Sequence, residues 1–237
     1  MGPRDLVHAV GKLDPAVIKQ AAVGTVDAAL TWQQPKAQQM VARLRLVHPD
    51  KTPAEIMALI TKDYLATVAA GGVGAGAAAA VPNGAVQVPA ALADLTLFLK
   101  RSVLYVLAAA EVYGVHSLDL ERRRFLVMMV LAGDSANKKV VAALGKKAVP
   151  HWGKGIIKAI PMAKINAVNK VLGPRFIAKY GTKQGVLVLG KQVPLALGAV
   201  IGVAGNTGFG YGIVRSTKKM LGPVPDTWDE REEARES

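Results

Sequence analysis

From Leu65 to Ala93 the chain passes 29 residues without a charge, and from Gln192 to Val214 another 23. Gly, Ala, Val and Leu fill most of both runs. Such small side chains bury little area one by one, so a segment built of them gains stability only where backbones come close together. Helices achieve this when small residues recur every fourth position. Gly198 and Gly202, and again Gly208 and Gly212, have that spacing and mark the expected helix contacts. The other use for such a run is to cross a bilayer, which takes roughly 20 predominantly apolar residues without a break. Leu65 to Val81 supplies 17 before Pro82-Asn83-Gly84, and Gln192 to Val214 contains Pro194, Asn206 and six glycines. Composition therefore favours burial in a helical bundle over insertion of Leu65–Ala93 or Gln192–Val214.

The rest of the chain repeats the helical theme. Asp14-Pro15 pairs a cap with a first-turn proline, and Val17, Ala21, Val23, Ala28 and Leu30 follow at helical spacing, which predicts a helix from Leu13 to about Trp32. A second helix is expected over Ala37 to Val47, until His48-Pro49 stops it. Thr52-Pro53-Ala54-Glu55 is a capping box and opens a third, to about Ala70. Asp94 is expected to open the next, ending near Tyr113-Gly114, and Asp119 or Ser117 to cap a further amphipathic one, Leu120 to Leu131. Shorter helices are expected over Lys138–Lys147 and Met162–Leu172. The fold class this predicts is all-α: a compact multi-helix bundle with Gly/Ala-rich close-packed helices and no substantial sheet.

Charge divides the chain more sharply than hydropathy does. Residues 1–134 carry 13 Lys/Arg against 11 Asp/Glu, a near-neutral scaffold. Residues 135–225 carry 15 Lys/Arg and no acid, and 226–237 carry six acids against Arg231 and Arg235. The second half is expected to pack into the same domain, with the last stretch a disordered acidic tail. An acid-free basic half points to an anionic partner: lipid head groups, nucleic acid or an acidic protein. There is no cysteine, which removes disulfides, thiolate metal sites and cysteine nucleophiles and fits a reducing compartment. Met1 to Leu13, with Arg4, Asp5 and Lys12, does not read as a signal peptide.

Several motifs invite a sharper function. Gly72-Val73-Gly74-Ala75-Gly76-Ala77 aligns to a dinucleotide fingerprint, but that fingerprint needs a strand before its glycines, and here a helix precedes. His48-Pro49-Asp50 is the loop tripeptide of J-domain co-chaperones, yet the next helix starts at once and no tyrosine precedes Tyr64. His8, His48, His116 and His151 stand singly, and no two share the spacing of a helical metal site. A metal-dependent hydrolase using His48 and Asp50 is the weakest of these alternatives. No Gly-x-Ser-x-Gly is present, and no catalytic, metal or cofactor residue is assigned.

Three stretches together resemble the EcsC family. They are His48-Pro49 with Thr52-Pro53-Ala54-Glu55 and the Gly/Ala run to Pro82-Asn83-Gly84; Ala93-Asp94-Leu95 leading to Tyr113-Gly114 and the Asp119–Arg124 helix; and Lys191-Gln192-Val193-Pro194 with Gly198-Ala199 and Asn206, on to Arg215. The resemblance covers roughly Leu46 to Leu221 and implies a helical, membrane-associated protein with no assigned chemistry. Joined to the charge pattern, it predicts a non-enzymatic cytoplasmic protein at the inner face of the cell membrane. Its partner is expected to be an anionic lipid surface or a membrane protein, with nucleic acid the alternative. The residues expected to make the contact are Lys138, Lys139, Lys146, Lys147, Lys154 and Lys158, with Trp152 and Ile156 as interfacial anchors.

Overall fold

A computed structural model describes residues 15–79, 84–115, 119–133, 157, 159–170, 172 and 195–228, with side-chain surroundings over 24–71, 93–115, 119–133, 157, 159–170, 172 and 206–228. Most of these residues are helical, with no strand among them. The helices are α1 (Pro15–Val47), α2 (Pro53–Ala79), α3 (Gly84–Val112), α4 (Leu120–Ala132), α5 (residues 162–170) and α6 (Leu195–Leu221).

Local chemistry accounts for several ends. Thr52 caps α2: the Glu55 amide donates to Thr52 Oγ1 at 3.3 Å, and Glu55 Oε2 accepts from the Thr52 amide at 2.9 Å, so each side chain satisfies the other residue's orphan amide. Asp119 caps α4, accepting from the Arg122 amide at 2.9 Å. At the end of α3 the Val115 amide reaches the Ala110 carbonyl at 2.7 Å and the Gly114 amide reaches Glu111 at 3.0 Å. This is a Schellman closure, which needs the left-handed φ of 66° that Gly114 supplies.

Elsewhere packing overrides the local signals. The two helices expected before His48 are one, α1, which runs through Pro35. An interior proline removes an amide donor and costs about 3 kcal/mol, but Leu30, Ala37 and Val41 are buried on either side of it and hold both halves on the same core. α2 continues through the Gly72–Ala77 run instead of stopping near Ala70, and α3 runs through Pro89, so Asp94 is an interior residue and not a cap. The amphipathic pattern expected of α4 holds only for its first turn: Phe125 to Ala132 are all buried. A helix apolar on every side belongs in the centre of a core. Tyr105 to Val112, the last two turns of α3, are likewise buried throughout.

The helices that follow one another do not all pack together. α1 and α2 barely touch beyond their shared turn; α1 packs on α3, α3 on α2, and α2 on α6, its most extensive partner. The row is therefore α1, α3, α2, α6, with α4 touching α1, α3 and α6. Gly210 sets the α2–α6 approach, because a Cβ there would lie 2.9 Å from Val68 Cγ2 and 3.2 Å from Leu65 Cδ2. Gly208 and Gly212, the expected contact pair, are exposed with nothing within 4 Å of an added Cβ. Two residues along an α-helix is about 200° of rotation, so they point away from the face that Gly210 presents. Gly198 and Gly202 lie in α6 outside the described side chains.

Candidate functional site

Polar groups inside an apolar bundle need partners, and here they cross between helices. Asp94 ends one uncharged run and Asn206 is a polar residue within the other, and they are 6% and 1% exposed. They meet: Asn206 Nδ2 donates to Asp94 Oδ1 at 3.2 Å, tying α6 to α3. Gly71 of α2 lies beside them, its missing Cβ 3.9 Å from the same oxygen. The pair joins positions 112 residues apart in the chain. The other amide atom, Asn206 Oδ1, is buried without a hydrogen bond.

A second polar seam links α2 to α3. Ser102 Oγ donates its only proton to the Phe98 carbonyl at 2.8 Å, so in the 2.9 Å contact between Tyr64 and Ser102 the phenol is the donor. Thr61 Oγ1 similarly donates to Met57, which makes Tyr105 the donor in their 3.2 Å contact. The two rings stack at 4.5 Å. Burial pushes the Tyr64 hydroxyl well above its usual range and that of Tyr105 up to about 12. Both phenols are thus held as neutral donors. Glu111, also buried, accepts from Gln34 Nε2 at 2.6 Å, joining α3 to α1.

The three arginines that open α4 have separate partners, Arg123 donating to the Leu30 carbonyl of α1 at 3.5 Å. Arg122 pairs with Asp119 and donates to the Ile157 and Ile160 carbonyls at 3.2 and 3.1 Å, so it fixes the segment leading into α5. Arg124 binds Asp27 of α1 at 2.9 Å and Glu121 at 2.7 Å, while Asn169 of α5 donates to Glu121 Oε2 at 3.0 Å. Asp27, Arg124, Met128, Asn166 and Lys170 line a cleft of about 530 Å³ around these contacts.

His48-Pro49-Asp50 forms a tight turn between α1 and α2. Its backbone closes on itself, His48 N to Leu44 O at 2.9 Å and Lys51 N to His48 O at 3.1 Å. Trp228 covers the turn, donating from Nε1 to the Lys51 carbonyl at 3.1 Å with the Arg45 guanidinium 4.4 Å from its ring centre. Trp228, which the sequence reading placed in the acidic tail, is thus held against this turn. Glu55 is engaged by Thr52 and, at 3.6 Å, by Lys51. Among the described residues no three His, Cys, Asp or Glu side chains gather as a metal site would require.

The expected contact residues Lys138, Lys139, Lys146, Lys147, Trp152, Lys154, Ile156 and Lys158 lie outside the described residues. Within the basic half, however, one described surface carries the same chemistry. Along α6, Gly208, Tyr211, Gly212, Arg215, Lys218 and Lys219 are all exposed, and Tyr211 is 59% exposed. Their spacing places an aromatic ring and cations on one side of the helix, with Gly208 and Gly212 beside the ring leaving the backbone bare. Sequence reasoning did not single out Tyr211 or Arg215, although a tyrosine four residues before an arginine in an acid-free helix was a readable signal.

Comparison with known proteins gives no matching family model, no matching curated protein and no matching solved structure.

Proposed function

We propose that this is a membrane-associated protein of EcsC type that attaches to anionic lipid surfaces through its basic half. The observation that carries this is the stretch of 91 residues, 135–225, with 15 cations and no acid. The exposed side of α6 supports it: Tyr211 suits the head-group level, where amphipathic rings partition, and Arg215, Lys218 and Lys219 follow it within two turns. Each such cation near an anionic surface contributes about 1 kcal/mol, so these three alone would raise binding roughly a hundredfold. Among the described residues no helix is long and apolar enough to cross a membrane, which accords with attachment from one side.

Sedimentation with vesicles of phosphatidylserine and phosphatidylcholine, against phosphatidylcholine alone, tests the proposal over a range of salt. Binding to the anionic vesicles alone, released by salt, is expected. Equal indifference to both vesicle types refutes it, and retention through a carbonate wash would mean insertion instead. Tight, salt-sensitive DNA binding without lipid binding would favour the nucleic-acid alternative.

A further inference from the structure

A groove of about 700 Å³ opens between the second half of α1 and the first turns of α2. It exists because α3 packs against both helices while α1 and α2, joined only by the turn at His48–Lys51, diverge from each other. Its apolar lining comes from Met40, Leu44, Leu59 and Ile60. Lys36 and Arg43 flank that lining from α1, with His48 at the turn, against one acid among the described lining residues, Asp63 on α2. Trp32 and Val47, 73% and 60% exposed, extend the same side of α1 beyond and along the groove. Soluble surfaces leave large apolar side chains clustered like this where something covers them.

We infer that this groove is a docking site for an amphipathic helix of a protein partner, one whose apolar stripe is flanked by acidic side chains. Three features specify the occupant. From Lys36 to His48 the wall is about 18 Å long at helical rise, which matches about three turns of a partner helix. The apolar lining is recessed between two helices, where a protruding side chain can enter and a flat bilayer surface cannot. The cations exceed the acid along the walls, so acidic flanks are attracted and a second copy presenting the same cations is not. Helices recognised in grooves use apolar anchors at i, i+3 or i+4, and i+7, and Trp and Arg are the residues that most often carry such contacts. This surface lies on α1 and α2, whereas the proposed lipid-binding side belongs to the basic half, so the two attachments are separable by mutation.

The test uses the full chain and three fluorescein-labelled synthetic helical peptides: Leu at the anchor positions with Glu on the flanks, the same with Lys on the flanks, and the Glu form with its leucines changed to Ala. Fluorescence anisotropy should give saturable binding of the Leu/Glu peptide below about 100 µM, at least about tenfold weaker for the other two. Lys36→Glu with Arg43→Glu alters two exposed side chains and should reverse the preference, favouring the Lys-flanked peptide. Lys100→Glu with Arg101→Glu makes the same charge change on α3 outside the groove and should leave peptide binding unaltered. Helical circular dichroism should be unchanged in both variants. No binding of the Leu/Glu peptide, or an identical response of the two double variants, overturns the inference. So does a loss of anionic-vesicle binding specific to the Lys36/Arg43 pair, which would make this side a lipid contact.

Discussion

Three alanine substitutions in one helix separate packing from helix propensity. Gly208, Gly210 and Gly212 lie within two turns of α6, and changing glycine to alanine in a helix interior stabilises by roughly 0.5 to 1 kcal/mol when the new methyl meets nothing. Gly208 and Gly212 satisfy that condition, so Gly208→Ala and Gly212→Ala should each raise stability by about that amount. At Gly210 the new Cβ would sit 2.9 Å from Val68 Cγ2, well inside the normal carbon–carbon separation of about 3.5 to 4.0 Å. Leu65 Cδ2, at 3.2 Å, can rotate away, but the β-branched Val68 has essentially one helical rotamer and cannot. Relief must come from moving α6 off α2, and overpacking of this kind costs about 1 to 3 kcal/mol. Gly210→Ala should therefore be less stable than Gly208→Ala by about 1 to 3 kcal/mol, although the chemical change is identical. Urea denaturation followed by circular dichroism measures all three. Val68→Ala, itself destabilising, should recover about 1 kcal/mol when combined with Gly210→Ala, because it removes the clashing methyl. If Gly210→Ala proves as stabilising as its neighbours, the proposed α2–α6 approach is wrong.

Other substitutions probe the remaining joints. Thr52→Ala removes half of the capping box and should cost about 1 kcal/mol in the same urea titration. Asn206→Leu leaves the buried Asp94 carboxylate short of a donor and should cost about 1.5 to 3 kcal/mol, whereas a pairing of no consequence would show little change. The tyrosine pair predicts a loss of stability in alkali. Their folded pKa values lie above the unfolded value, so the contribution is complete below about pH 10. It then declines toward about pH 12 as the unfolded phenols ionise first. Tyr64→Phe should flatten that decline, read by tyrosinate absorbance beside circular dichroism. At the acid end, partial burial pushes Asp119 upward, but the bonds and charge of Arg122 outweigh it and hold the carboxyl below its usual range. Stability from this cap is present above about pH 4 and lost as pH falls through the folded value. Asp119→Asn should remove that part of the acid dependence.

Features set within a few residues of each other were readable in advance. The Thr52–Glu55 box, the Asp119 cap and the stop at Gly114 depend on side chains and backbone groups no more than a turn or two apart; the box and the stop stand where expected, and the cap is Asp119, one of the two residues the sequence offered. The expected gap between Trp32 and Ala37 and the expected helix start at Asp94 were local readings as well, but both fell inside longer helices. There the burial of Leu30, Ala37 and Leu95 outweighed the local preference. The proposed lipid-facing surface divides in the same way. Charge segregation was plain from the chain, while the exposure of Tyr211 and Arg215 on one side of α6 depended on how that helix turned.

The sequence by itself determined the helical class, several helix ends and the concentration of cations in one half, because each follows from composition or from neighbours along the chain. Only the tertiary structure decided which glycine makes contact. Spacing favoured Gly208 with Gly212, yet α6 is turned so that Asn206 reaches Asp94, Phe209 meets Phe98 edge-on at 6.2 Å, and Gly210 lies against Val68. Those partners are over a hundred residues away in the chain. Rotation of a helix about its own axis is fixed by what it buries against, and no periodicity within the helix can specify that.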